Sequence, residues 1–216
     1  MLDLANWILV SIVFIQGLVI YLDNQCNMFS FFNNASVGNV AKAYTYRGQI
    51  LTISRSIFFV VPPLLGYLII NLDIDTIEKL TVIVAITNFI ITLVQNLTYL
   101  KLKKITILEI QQAFHVFKFS FSFHLGWLAF FFFLTTPYLT NYLALLFPND
   151  GLWIVQLNPM FNAFLTFYII WIFEPKVAKK LDSNHTFTLE FLEANFSRLF
   201  GRFLFLIFCL LMLILL

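Results

Sequence analysis

The stretch ILTISRSIFFVVPPLLGYLIINL, residues 50–72, is long and apolar enough to cross a membrane, yet it contains an arginine and two consecutive prolines. A transmembrane α-helix needs about 20 predominantly apolar residues. Arg55 lies about 7.5 Å along the helix axis from the start of this run, at ~1.5 Å per residue. Pro62 and Pro63 remove two backbone donors, and their rings clash with the preceding turn. The sequence therefore predicts a membrane helix that is kinked or broken at the proline pair.

Two positions for the Arg55 side chain stay open. The side chain can extend to the head-group level, or the helix can begin near residue 40 and bury the guanidinium more deeply. Insertion scales assign about 2.5–3.5 kcal/mol to a buried arginine, which favours a partner or an aqueous cavity. No acidic residue lies at matching depth in this span, so an anionic ligand is a candidate partner.

The proline pair and Gly66, which leaves room for close packing, define a candidate hinge. A broken helix at membrane depth requires that protein or a water-filled cavity cover the freed backbone groups. Transporters place such discontinuities at substrate sites, whereas a kink that only serves packing has the same sequence signature.

The composition outside this stretch extends the membrane interpretation to the whole chain. Of the 216 residues, 61% are hydrophobic and 11% are charged, against an apolar share of roughly 45–50% in soluble domains. The predicted spans are residues 4–22, 50–72, 80–100, 119–147, 152–173 and 199–216. We therefore expect an all-α, polytopic integral membrane helical bundle of about six transmembrane helices, in one domain.

The distribution of lysine and arginine predicts the orientation of the bundle, because these residues accumulate in cytoplasmic loops. The segments that follow the first, third and fifth spans hold most of the cations, among them Lys42, Arg47, Lys101, Lys103, Lys104, Lys118, Lys176, Lys179, Lys180 and Arg198. The segments at 73–79 and 148–151 hold Lys79 beside four acids. Both termini are predicted to lie outside.

Two segments on the predicted cytoplasmic side have the periodicity of amphipathic helices. Residues 101–119 carry apolar side chains at helical spacing beside four lysines, and residues 188–200 repeat the apolar pattern. Such helices can lie on an anionic membrane surface. The alternative is that both are ends of membrane helices protruding into water.

The sequence lacks the motifs of common membrane enzymes and pumps. It has no phosphate-binding GxxxxGK[ST] loop, no HExxH zinc pair and no GxSxG elbow. No acidic cluster inside a span is suited to magnesium, and no basic strip is suited to nucleic acid. We expect no catalytic residues, metal or cofactor, and a protein that moves or binds something.

Polar side chains recur at helical spacing in three spans. They are Asn88, Thr92, Gln95 and Tyr99 in the third span, Ser120 and His124 in the fourth, and Asn158, Asn162 and Thr166 in the fifth. Each stripe can hold helices together through hydrogen bonds. Convergence of the stripes with Arg55 would instead form a hydrated interior. Glu174, at the end of the fifth span, is expected to pair with Lys176 or Lys179.

Four segments of the chain resemble a known family. GNVAKAYTYRGQILTISR (38–55), PPLLGYLI (62–69), LNPMFNAFLTFYIIWIFEPKVAKKLD (157–182) and SRLFGRFLFLI (197–207) are similar to segments of the Amj family of alternate lipid II flippases of bacteria. The matching residues are Ser54, Arg55, Pro63, Leu65, Gly66, Asn162, Glu174, Pro175, Lys176, Asp182, Arg198, Leu199 and Gly201. The resemblance covers about two-thirds of the chain.

This resemblance implies a transporter of a lipid II-like, undecaprenyl-diphosphate-linked glycan in the bacterial inner membrane, for peptidoglycan and cell-wall synthesis. Arg55, with Ser54 beside it and Arg47 at the entrance, would hold the diphosphate. Asn88, Gln95, His124, Asn158 and Asn162 would solvate the sugars. The stretch before Gly38 lacks the basic residues of the family, so a related carrier-linked glycan is an alternative cargo.

Two rival functions fit the same residues. A non-transporting membrane scaffold would use the polar stripes only to join helices, and a membrane-embedded transferase would act on the same lipid carrier. The small size of the bundle leaves a homodimer open as the transporting unit.

Overall fold

The computed structural model describes residues 2–32, 37–71, 74–147, 149–176, 179 and 188–215. This part of the chain consists of helices joined by short turns and connections, without a β-strand. The helices are α1 (Leu2–Phe32), α2 (Val37–Phe58), α3 (Val61–Asn71), α4 (Ile74–Leu102), α5 (Ile107–Phe117), α6 (Phe121–Leu146), α7 (Gly151–Phe167) and α8 (Thr188–Leu215). A π-helical segment, Tyr168–Phe173, continues α7.

Six stretches of these helices are long and apolar enough to cross a membrane: Leu4–Gln25, Tyr46–Leu68, Asp75–Leu102, Phe121–Leu146, Trp153–Lys176 and Leu192–Ile214. The prediction of an all-α bundle with about six spans is confirmed. The chain is a multi-pass membrane protein.

The boundaries of the first and last spans differ from the prediction. The first span continues to Gln25 rather than ending at residue 22, and the last begins at Leu192 rather than at residue 199. At these two ends the helices continue through the charged residues Asp23 and Arg198. Asp23, Arg198 and Arg202 therefore all lie inside membrane-spanning helices.

The proline pair breaks the second span, as predicted. Helix α2 ends at Phe58, and α3 begins at Val61 after a turn at 59–60 in which the Val60 N–H donates to the Ile57 carbonyl at 3.1 Å. Pro62 then lies in the first turn of α3, where a missing N–H is tolerated. Phe58 and Val61 beside the break are buried in the bundle, whereas Phe59 and Val60 in the turn are exposed.

The role expected for Gly66 is wrong. A Cβ atom at Gly66 would have no heavy atom within 4 Å, so this glycine does not make room for a neighbouring helix. Helix α3 continues through it without interruption.

Helix α5 confirms that the 101–119 segment contains a separate helix. A capping box joins Thr106 and Glu109, and these hydrogen bonds hold the pKa of the Glu109 carboxyl below its usual range. Ala113 and Phe117 are buried, and the Phe114 ring lies 4.7 Å from Phe196 of α8. The 188–200 segment is instead the first part of α8, with Leu192 buried in the bundle.

Helices α1, α2 and α8 carry the charged residues that meet in the bundle. Helix α1 packs against α2, α3 and α4, while α8 packs against α4, α5 and α6. Helix α7 packs on α6, and α1 also contacts α8. Charged side chains on α1, α2 and α8 can therefore meet inside the bundle.

Candidate functional site

Asp23 is the centre of a buried group of charges. Its carboxylate lies 3.3 Å from Arg202 Nη2, 3.4 Å from Arg198 Nε and 3.9 Å from Arg55 Nη2. We call Asp23, Arg55, Arg198 and Arg202 the arginine cluster. It joins α1, α2 and α8 through side chains that are far apart in the sequence.

A layer of neutral polar side chains borders the arginine cluster on the α4 side. Arg202 Nη1 donates to Asn24 Oδ1 at 2.8 Å and also to the Thr92 hydroxyl. Asn24 Nδ2 donates to Gln95 Oε1, and Gln95 Nε2 donates to the Tyr21 carbonyl at 3.3 Å. We call Asn24, Thr92 and Gln95 the polar layer, which fixes the Arg202 guanidinium without adding negative charge.

Aromatic rings border the arginine cluster on the α6 side. The Arg55 guanidinium lies 4.2 Å from the centre of the Phe133 ring, and that of Arg198 lies 4.7 Å from the Phe130 ring. A desolvated cation over such a ring gains about 2 kcal/mol. The rings therefore offset part of the cost of burying these cations.

The arginine cluster contains more positive than negative charge. Three guanidinium groups contact one carboxylate, and the side chain of Arg202 is 1% exposed. Within the described part of the chain, Arg198 Nη1 and Arg202 Nε are buried without a hydrogen-bond partner. Buried charges are costly unless they are paired and hydrogen-bonded. The arrangement is therefore suited to accept an additional anion.

Within the arginine cluster, Arg202 lies deep in its apolar span, whereas Asp23 is two residues from the end of the first span. Arg202 is ten residues past Leu192, where the last span begins, which corresponds to about 15 Å along a helix axis. The hydrocarbon core of a bilayer is about 30 Å thick, so this residue is near the middle of its span. Since Cβ atoms in a helix tilt toward its N-terminus, the guanidinium reaches back toward the predicted cytoplasmic side.

Small residues let α6 and α8 approach closely and thereby position Arg198 and Arg202. A Cβ atom at Gly201 would lie 2.6 Å from the Trp127 carbonyl oxygen, and one at Gly126 would lie 3.0 Å from Ser197 Oγ. Ser197 and Gly201 are four residues apart, a spacing typical of close membrane-helix crossings. Arg198 and Arg202 each follow one of these small residues, so the crossing determines where both side chains lie.

A separate ion pair joins α2 to the end of the fifth span. Arg47 Nη1 donates to Glu174 Oε1, and the Arg47 guanidinium lies 5.2 Å from the centre of the Phe173 ring. Glu174 was expected to pair with Lys176 or Lys179, whereas the described contacts pair it with Arg47 and place Lys176 beside Glu193. The π-helical segment immediately before Glu174 has a wider turn than an α-helix, which changes the direction in which the following residues project.

We predict that the Arg47–Glu174 pair contributes measurably to stability. Because the Arg47 side chain is 5% exposed, Arg47→Met should lower the free energy of unfolding by about 1–3 kcal/mol. Unfolding in detergent measures the change. The matched control is Lys79→Met, which breaks an exposed pair with Asp75 in α4 and should cost less than about 0.5 kcal/mol. Equal effects of the two substitutions would contradict the prediction.

A further polar group lies where α6, α8 and the end of the fifth span meet. Ser120 and Ser122 both donate to Glu193 Oε1, and Lys176 Nζ lies 3.5 Å from Glu193 Oε2. Ser120 is also the N-cap of α6. Ser120 thus acts in a different group from His124, with which it was predicted to form a stripe.

The structure brings together only some of the predicted site residues. Arg55 and Gln95 belong to the arginine cluster and the polar layer, and the adjacent Ser54 hydroxyl donates to the Val19 carbonyl of α1 at 3.2 Å. Asn88 is buried one turn before Thr92, and its carbonyl accepts from the Thr92 hydroxyl. Arg47 is buried but lies in the pair with Glu174.

Other predicted site residues do not join this group in the described contacts. His124 is exposed and contacts the Lys118 carbonyl and the Trp127 indole, so its assignment to a hydrated interior is wrong. Asn158 and Asn162 lie on α7, which packs against α6. Asp182, part of the family resemblance, lies outside the described residues.

The residues predicted for the site did not include Asp23 or Arg202, and Arg198 was expected in a cytoplasmic segment and not inside the bundle. The sequence shows no acidic partner for Arg55 within its own span, whereas the partner comes from α1. Arg198 and Arg202 are four residues apart and so share a helix face. This i, i+4 pair of arginines at the start of an apolar run was the signal that could have identified them.

Comparisons of this chain with protein-family models, with curated proteins and with solved structures find no match.

Proposed function

We propose that this chain transports a polyprenyl-diphosphate-linked, lipid II-like precursor of the cell envelope across the bacterial inner membrane, with the arginine cluster as the site of its diphosphate. The observation that carries the proposal is the charge imbalance of three arginines around Asp23 inside the bundle. Arginine forms bidentate, charge-assisted hydrogen bonds with phosphate oxygens.

The contacts support a division of roles among these residues. Arg198 is the first candidate to contact the diphosphate, because its Nη1 atom has no hydrogen-bond partner in the described structure. Arg202 is held by the polar layer and by Asp23, so it contributes a fixed positive charge. Arg55 lies beside the proline break, where a movement of α3 relative to α2 would change its surroundings.

The test compares Arg198→Gln with the unmodified protein in vesicles. The substrate is a fluorescent undecaprenyl-diphosphate glycan, and a membrane-impermeant quencher measures how much of it reaches the outer leaflet. Since hydrogen bonds to charged groups contribute about 1.5–3 kcal/mol, the rate should fall about tenfold or more. Because the Arg198 side chain is 4% exposed and contacts Asp23, some loss of stability is expected, so the rates are compared at equal amounts of folded protein. Unchanged transport by the variant would contradict the proposal.

A structural role is the second candidate function. The side chain of Arg202 is 1% exposed, and its contacts with Asp23, Asn24 and Thr92 tie α8 to α1 and α4. In a scaffold these contacts would serve only to join helices. Arg198→Gln would then alter stability or assembly, and neither the variant nor the unmodified protein would transport the lipid. The vesicle experiment with parallel unfolding measurements separates the two functions. A separate experiment identifies the cargo. If expression of this chain restores growth to cells depleted of their lipid II flippase, the cargo is lipid II.

A further inference from the structure

An apolar groove runs along the outside of the bundle between α1 and α4. Its volume is about 780 Å³, and its lining includes Val13, Gly17 and Tyr21 of α1 and Ile83, Thr87 and Ile91 of α4. From Leu9 to Tyr21 the groove follows thirteen residues of α1, and the twelve steps between them span about 18 Å along the helix axis. This length is more than half of the ~30 Å hydrocarbon thickness.

Gly17 lets α1 and α4 approach closely at the floor of the groove. A Cβ atom there would lie 3.2 Å from Ile91 Cδ1 and 3.7 Å from Thr87 Cγ2. The two helices are therefore already in close contact beneath the groove. The exposed side chains of Val10, Phe14 and Ile83 form its rim.

The groove leads to the arginine cluster. Tyr21 lines the groove, and its carbonyl accepts a hydrogen bond from Gln95. Gln95 accepts from Asn24, and Asn24 accepts from Arg202. On α4, the groove residue Ile91 immediately precedes Thr92, which also accepts from Arg202. A continuous path of hydrogen bonds therefore joins the apolar groove to the buried positive charge.

We propose that this groove holds the single prenyl chain of the lipid whose diphosphate enters the arginine cluster. The inference rests on the proposed function and adds where the hydrocarbon part of the substrate lies. An apolar surface that opens to the bilayer and ends beside unbalanced positive charge is complementary to a lipid with one hydrocarbon chain and an anionic head. When the lipid binds, some hydrogen bonds within the polar layer would break, and its side chains would form hydrogen bonds with the head group instead.

The test is a binding measurement on the whole protein in nanodiscs. Ile83→Trp fills the groove, and Ile90→Trp is the matched control, because both isoleucines belong to α4 and both are 51% exposed, while Ile90 does not line the groove. The probes are undecaprenyl diphosphate, inorganic diphosphate and dioleoyl phosphatidic acid. Ile83→Trp should weaken the binding of undecaprenyl diphosphate about tenfold, and the affinity for inorganic diphosphate should stay unchanged. Ile90→Trp should leave both affinities unchanged.

The outcomes distinguish the groove from the proposed function. Equal affinities of Ile83→Trp and Ile90→Trp for undecaprenyl diphosphate would overturn the groove assignment, whatever Arg198→Gln shows. If Ile83→Trp weakens the binding of undecaprenyl diphosphate and Arg198→Gln does not, the result supports the groove and contradicts the diphosphate site. An equal loss of phosphatidic acid binding in Ile83→Trp would overturn the assignment to a single-chain lipid. As a second measurement, a photoreactive group on the prenyl chain should label α1 and α4 of the unmodified protein.

Discussion

Replacing Asp23 with asparagine is expected to lower the yield of folded protein in the membrane severely. The carboxylate contacts Arg55, Arg198 and Arg202, so its loss takes the shared counter-charge from two buried guanidinium groups and a partly buried one. Breaking a buried ion pair by removing one partner costs about 3–5 kcal/mol. This is a large fraction of the roughly 5–15 kcal/mol by which a protein is stable.

Yield and unfolding in detergent measure the effect of Asp23→Asn. The control is Asp75→Asn, at an exposed position in the first turn of α4, which should change stability by less than about 1 kcal/mol. Adding Arg202→Gln to Asp23→Asn should recover part of the loss, because it removes one of the cations left without a counter-charge. A normal yield of Asp23→Asn would show that the arginines do not depend on this carboxylate.

Gly201→Ala should separate α8 from α6. The added methyl group would lie 2.6 Å from the Trp127 carbonyl oxygen and 3.2 Å from the Phe131 nitrogen, both backbone atoms that no side-chain rotation can move. Overpacking of this kind costs about 1–3 kcal/mol or more. Because Arg202 follows Gly201 directly, the displaced helix should also lose the contacts of Arg202 with Asn24 and Thr92.

Unfolding curves of Gly201→Ala and Gly48→Ala make a matched comparison. A Cβ atom at Gly48, within α2, would have nothing within 4 Å. That substitution should be neutral or stabilise the protein by up to about 1 kcal/mol through helix propensity. If both variants unfold alike, the close crossing of α6 and α8 is not what positions Arg202.

The fold was largely predictable because hydrophobicity is a local property of the sequence. Runs of apolar residues identified the six spans, and the proline pair identified the break after Phe58. The same local criterion ended the first span too early and began the last span too late, because it treats charged residues such as Asp23 and Arg198 as exposed boundaries. A span can extend past such residues when their charges find partners inside the bundle.

The candidate site was only partly predictable because its contacts join distant segments. Arg55 and Gln95 were recognised from their positions within apolar runs, and both contribute to the observed group. Asp23 and Arg202 are 179 positions apart in the chain, so no spacing rule connects them. His124 shows the opposite error, since a polar residue within a span can face outward.

The excess charge of the arginine cluster has a consequence for voltage. One elementary charge that crosses a potential of 100 mV gains or loses about 2.3 kcal/mol. In a membrane with a negative interior, the field would draw an empty cluster of three arginines and one aspartate toward the cytoplasm. The negative charges of a bound diphosphate would cancel that pull, so under the proposed function the electrical field acts mainly on the return of the unloaded carrier.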